Sequence, residues 1–152
     1  MPFLLLLLLP AFFRGERVSS RDYPYDPRIH NFGNTGVGGR LHSLMAPLST
    51  YIIDQVAYKG LNVRQHILGD VPSDSLDYGC GTGWSTRTRG VDTSAQMLDM
   101  ARHCHPHKEF VQGNAETFGE TNEVAVCTCM FLFHEMPPEA RRVVLDLSLI
   151  HI

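Results

Sequence analysis

Nine consecutive residues, Leu76-Asp77-Tyr78-Gly79-Cys80-Gly81-Thr82-Gly83-Trp84, hold the densest chemistry in the chain. Three alternate glycines behind an apolar start let the backbone turn tightly, take positive φ and approach a ligand with no Cβ in the way. In a doubly wound sheet such a turn lies beyond the carboxyl end of a strand, where ligands bind. Tight turns also need glycine for structural reasons alone. Two acids sharpen the signal: Asp77 just ahead of the glycines, and Asp92 after the strand-like Gly90-Val91. A dinucleotide would ask for G-x-G-x-x-G, whose third glycine lets the next helix pack closely. Gly79 and Gly81 fill the first two places, but Trp84 stands at the third, where an indole pushes that helix away from a pyrophosphate.

Other reactive groups are less organised. His103-Cys104-His105-Pro106-His107 spaces histidines two apart, as a chelate can, yet no second cluster completes a tetrahedral metal set. The stretch reads as an exposed connection broken by Pro106, with no metal. Four cysteines, at 80, 104, 127 and 129, are too few for a disulfide-stapled secreted domain and read as reduced thiols. His134 and Glu135 are candidates for a general base by position, or a strand-end pair facing cofactor or solvent. Arg87 and Arg89 read as solvated loop charges, and Trp84 as packing behind the turn.

The elements that must position these residues alternate in type. Residues 21–40, dense in Tyr, Pro, Asp, Asn and Gly, read as an extended loop. Pro47 suits a first helical turn, Leu48, Ile52 and Val56 recur at spacing four, and Gly60 sits where a helix stops. A turn region from Gly69 to Ser75 introduces the glycine motif. Thr93 with Gln96 is a capping-box signature for a helix carrying Met97, Leu98, Ala101 and Cys104 on one side. Glu109 to Gln112 is a short strand candidate, and Val124 to Phe133 reads as a strand buried on both faces. Pro137-Pro138-Glu139 opens a helix through Val144, with acid near its start. Strands alternating with helices imply an α/β fold, a right-handed parallel sheet with flanking helices.

Four motifs in this order resemble class I S-adenosylmethionine-dependent methyltransferases, whose fold is Rossmann-like. They are Asp77-x-Gly79-x-Gly81-x-Gly83, Gly90-Val91-Asp92-Thr93-Ser94, Gln112-Gly113-Asn114-Ala115-Glu116 and Phe131-Leu132-Phe133-His134-Glu135-Met136. The resemblance covers roughly residues 75–146 and implies S-adenosyl-L-methionine as cofactor and a small-molecule acceptor. It implies that the turn from Gly79 through Cys80 and Gly81 to Gly83 passes under the methionine, with Asp77 helping to place its amino group. Asp92, followed by Thr93, would accept both ribose hydroxyls, since a carboxylate has two acceptor oxygens. Asn114 and Ala115 would meet the adenine edge, asparagine keeping an acceptor but giving up the charge of the usual aspartate. The acceptor itself is not inferable. Only six residues, 84–89, separate Gly83 from Gly90, where the family has a helix and most of a strand. A parallel crossover takes at least about 10–12 residues. The expectation is therefore that a segment is missing, or else that Asp92 does not reach the turn.

The chain has 152 residues, 43% hydrophobic and 19% charged, with a net charge of −3. That suits one domain, and mild acidity argues against a nucleic-acid binder. No stretch approaches the ~20 apolar residues of a membrane span. Met1-Pro2-Phe3 followed by six leucines has the length of a leader's apolar region without its basic start. Residues 1–20 are thus expected to be an apolar leader or tail and 21–146 a partial methyltransferase domain holding the first four strands, with later strands missing. Leu147 to Ile152 resembles a translated library adapter and is expected to be a non-native tail. Location is cytoplasmic, or an organelle or secretory route if the leucine run is a leader. Oligomeric state is not legible. Two alternatives remain: an inactive remnant of the fold, and a nicotinamide-dependent oxidoreductase.

Overall fold

A computed structural model describes residues 36–118 and 124–151. The expected leader, and the loop as far as residue 35, lie outside the described residues. Helix α1 (Gly36–Val56) leads to α2 (Val63–Gly69), β1 (Ser75–Tyr78), β2 (Arg89–Asp92), α3 (Ala95–Cys104), β3 (Glu109–Gln112), β4 (Val126–Thr128), a 3-10 turn (Phe133–Glu135) and α4 (Pro138–His151). The strands form one four-stranded sheet in the order β3-β2-β1-β4, every pair parallel. This is the Rossmann-like α/β arrangement anticipated from the alternation of elements.

Alternation along the strands sorts side chains to two faces. Leu76 and Tyr78 of β1 join Val91, Ala115, Val124 and Met136 beneath Ala140 and Val144 of α4, all buried. A smaller cluster of Cys80, Leu98, Ala101 and Phe110 packs α3 on the sheet. Asp77, between Leu76 and Tyr78, faces away from their cluster and is only 2% exposed. All four cysteines are free thiols, as expected from their number. No described helix is long and apolar enough to cross a membrane.

Several boundaries differ from the sequence expectation. Helix α1 begins at Gly36, inside the expected loop, and carries Pro47 within it rather than in its first turn. Its buried residues are Gly39, Ser43, Ala46 and Pro47, so small side chains make the contact and the Leu48-Ile52-Val56 spacing does not mark the inner face. The short helix α2 was not anticipated; its cap is Asn62, whose side chain accepts from the Gln65 amide at 3.0 Å. Helix α3 is capped by Ser94 accepting from Met97 N at 3.3 Å, one residue beyond the expected Thr93 cap. The apolar run from Val124 yields only three strand residues, because Phe131 takes φ 61° and the chain then enters the 3-10 turn.

Candidate functional site

The glycine turn follows β1 directly and bends with positive φ at Gly79, Gly81 and Gly83. Gly79 N and Cys80 N both donate to Val91 O, at 2.9 and 3.1 Å, tying the turn to β2. Residues 79–88 then return to the start of β2 without forming a helix. The crossover expected to be too short is thus completed by an irregular ten-residue path, and the two strands still pair in parallel, Leu76 opposite Arg89. Asp92 does reach the turn: its Oδ2 accepts from Gly81 N at 2.8 Å, and its Oδ1 from Ser94 N at 2.8 Å. The carboxylate is therefore aimed by the glycine turn and the head of α3 together. Burial pushes its pKa up, while the Ser94 and Gly81 amides favour the ionised form.

A cleft of about 210 Å³ opens at the carboxyl ends of the strands. Of the residues singled out in the sequence, Gly79, Gly81, Asp92, Thr93, Asn114 and Ala115 line it together, with His134 and Glu135 on its far wall. Asn114 Oδ1 accepts from Glu116 N at 2.9 Å, so one lone pair of that oxygen is already engaged. His134 Nε2 stands 3.6 Å from Glu135 Oε1.

Asp77, Cys80 and Gly83 do not line the cleft. Asp77 sits behind the turn, its Oδ2 accepting from Thr86 Oγ1 at 2.8 Å and Ser85 Oγ at 3.0 Å, its Oδ1 from Thr128 Oγ1 at 2.9 Å. Burial raises its pKa from 3.8 to about 6 against those three hydroxyls. Cys80 packs in the α3 cluster, and burial pushes its thiol far up, so it stays protonated at neutral pH. Gly83 is crowded by Phe110 and His105. No group of three His, Cys, Asp or Glu side chains fit to hold a metal occurs among the described residues.

Sequence reasoning missed His42 of α1, which lines the cleft although nothing in its surroundings in the chain marks it. Phe131 was quoted only as part of a motif. Its ring lies 4.7 Å from the Arg64 guanidinium, which Asp54 holds at 2.9 Å. That chain of contacts secures a strained residue at the cleft wall.

Residues 76–148 match a family model described as a methyltransferase domain. That stretch takes in all four motifs that carry the resemblance. The chain is 35% identical over 98 residues to a malonyl-[acyl-carrier protein] O-methyltransferase of Halalkalibacterium halodurans, the match taking in 52% of this chain and 36% of that relative. In fold the domain is similar to a SAM-dependent methyltransferase of Corynebacterium glutamicum (TM-score 0.56, 18% identity, 74% of this chain and 67% of that one). It is also similar to a SAM-bound amino pentose methyltransferase of Micromonospora echinaspora (TM-score 0.54, 23% identity, 66% of this chain and 51% of that one). The chain thus spans about a third of the curated relative's length. Residues of all four motifs line the one cleft, Gly79 and Gly81, Asp92 and Thr93, Asn114 and Ala115, and His134 and Glu135. A dinucleotide site, by contrast, places a pyrophosphate on the N-terminus of the helix after the glycine turn, and no helix follows this turn.

Proposed function

We propose that the cleft holds the nucleoside of S-adenosylmethionine and that the protein transfers its methyl group to a small-molecule acceptor. The observation that carries this reading is the Asp92 carboxylate, which lines the cleft while amides of Gly81 and Ser94 fix both its oxygens. Each oxygen keeps a further lone pair, one for each ribose hydroxyl. At Gly81 an added Cβ would meet nothing within 4 Å, so the turn leaves open space for the methionine end. Asn114 and Ala115 flank the position of the adenine edge.

The bound cofactor supplies a methyl group already activated on a sulfonium, so the chain's own task is alignment and exclusion of water. Met130, Leu132 and Met136 give the cleft an apolar wall for that purpose. Proton removal is required only from an acceptor that arrives protonated, and the cleft offers two imidazoles for it, His42 and His134, the latter beside Glu135. The charged side chains among the described lining residues are the acids Asp92 and Glu135, with no Lys or Arg. That field favours a neutral or cationic acceptor over a carboxylate such as the malonyl group in the curated relative's name.

Isothermal titration with S-adenosylhomocysteine and, separately, with a nicotinamide dinucleotide tests the reading. Binding of the first alone is expected, and Asp92→Ala should weaken it about tenfold or more, the loss of a pair of charge-assisted hydrogen bonds. Binding of the dinucleotide instead would make the protein an oxidoreductase, and binding of neither would make it a remnant of the fold.

A further inference from the structure

The ten residues between β1 and β2 do without the element that ordinarily supports such a turn. Where a helix follows, its first carbonyls accept from amides four residues further on. Here the Gly83 carbonyl receives only a long contact from Thr86 N, 3.4 Å. A side chain from another part of the chain completes the set. Lys108 Nζ donates to Thr86 O at 2.6 Å and to Gly83 O at 3.2 Å.

We propose that Lys108 is the positioning residue of the glycine turn, its ammonium replacing the amides of an absent crossover helix. Three features of the surroundings bear this out. Lys108 is pinned on both sides, its own amide donating to His105 O at 3.0 Å and the Glu109 amide to Thr88 O at 2.9 Å, so the ammonium arrives at a fixed place. The opposite side of the same segment is held by charge of the other sign, since Ser85 and Thr86 donate their hydroxyls to Asp77. The loop is therefore gripped between a buried carboxylate and an ammonium. The stretch that carries Lys108 also forms the floor under the bend, because a Cβ at Gly83 would lie 2.6 Å from Phe110 Cζ and 3.0 Å from His105 Cδ2. Gly83 N in turn donates to Cys80 O at 2.9 Å, which sets the bend that presents the Gly81 amide to Asp92. Without the ammonium, the Thr86 carbonyl loses its donor and the Gly83 carbonyl keeps only the long contact from Thr86 N.

The test uses Lys108→Met, which keeps the aliphatic stem and deletes the donors, with Lys108→Arg as rescue and Val144→Ala as a destabilised control on the opposite face. Amide hydrogen exchange at Gly81 and Gly83 is read in the ligand-free chain. Affinity for S-adenosylhomocysteine is read by isothermal titration. Lys108→Met should speed exchange at both glycines and weaken the ligand about tenfold, the scale of losing a charged hydrogen-bond partner. Lys108→Arg should restore both, and Val144→Ala should lower the melting temperature without either effect. If Lys108→Met does not fold, Lys108→Gln keeps a neutral donor and should give the same changes in smaller degree. Glycine exchange and affinity at wild-type values in a folded Lys108→Met or Lys108→Gln chain would overturn the assignment. The affinity arm rests on the cofactor reading above. A wild-type chain that ignores the ligand sinks that reading, while the exchange arm still decides the role of Lys108.

Discussion

Replacing Asp77 by Asn removes a buried charge while keeping the side chain's shape. The carboxyl is 2% exposed and receives hydroxyls from Ser85, Thr86 and Thr128. Burial outweighs these bonds and raises its pKa from 3.8 to about 6. The folded chain therefore holds this proton more tightly than the unfolded chain. Stability from this group is fully present below about pH 4 and is lost as pH rises through about 6. Two units at about 1.4 kcal/mol each make the loss on the order of 3 kcal/mol, of which most falls between pH 4 and pH 7. Asparagine does not titrate, so the stability difference between wild type and Asp77→Asn isolates the effect from every other group. Urea unfolding of both chains at whole-unit steps from pH 4 to pH 7 measures it. The wild type should lose about 2–3 kcal/mol relative to the variant across that range. Parallel curves would refute the buried-carboxylate account.

Three further outcomes are expected. Gly81→Ala meets no atom within 4 Å and should cost only the strain of φ 53°, about 1 kcal/mol. Gly83→Ala adds a 2.6 Å approach to Phe110 and should lower the melting temperature by clearly more, a contrast read in one thermal scan of the pair. His105, edge-on to Trp84 at 5.1 Å, has its pKa lowered to about 4 by burial and by the charges of Lys108 and His107. Its stabilising neutral form is lost as pH falls from about 6.5 towards 4, opposite in sign to Asp77, so acid unfolding followed by circular dichroism should be shallower for His105→Phe.

Much of the sheet was legible because its signals are local: strand-to-turn-to-acid for β1 and β2, and the short Glu109–Gln112 stretch for β3. Asp92 was legible as the acid that ends β2, whereas Thr93, Asn114 and Ala115 were picked out through the resemblance of their motifs, and all four line the cleft. Asp77 could be found but not placed. Adjacency to the glycines made it look like a ligand contact, whereas pleat geometry turns it to the far face. The inner side of α1 was hidden because Gly39, Ser43 and Ala46 make the contact, and small residues give no apolar period. Phe131 and the end of β4 were misread because nothing in an apolar run marks a positive φ at a phenylalanine. The crossover looked too short because counting assumes a helix. Lys108, some twenty residues away in sequence, supplies its missing donors and leaves no sign there.

The most direct measurement is an amide spectrum of isotope-labelled chain titrated with S-adenosylhomocysteine. Shifts concentrated at Gly79, Gly81, Thr93, Gly113 and Asn114, saturating together, are the predicted result. A saturable response elsewhere, with those five signals unmoved, would contradict the placement of the nucleoside between the glycine turn and Asp92.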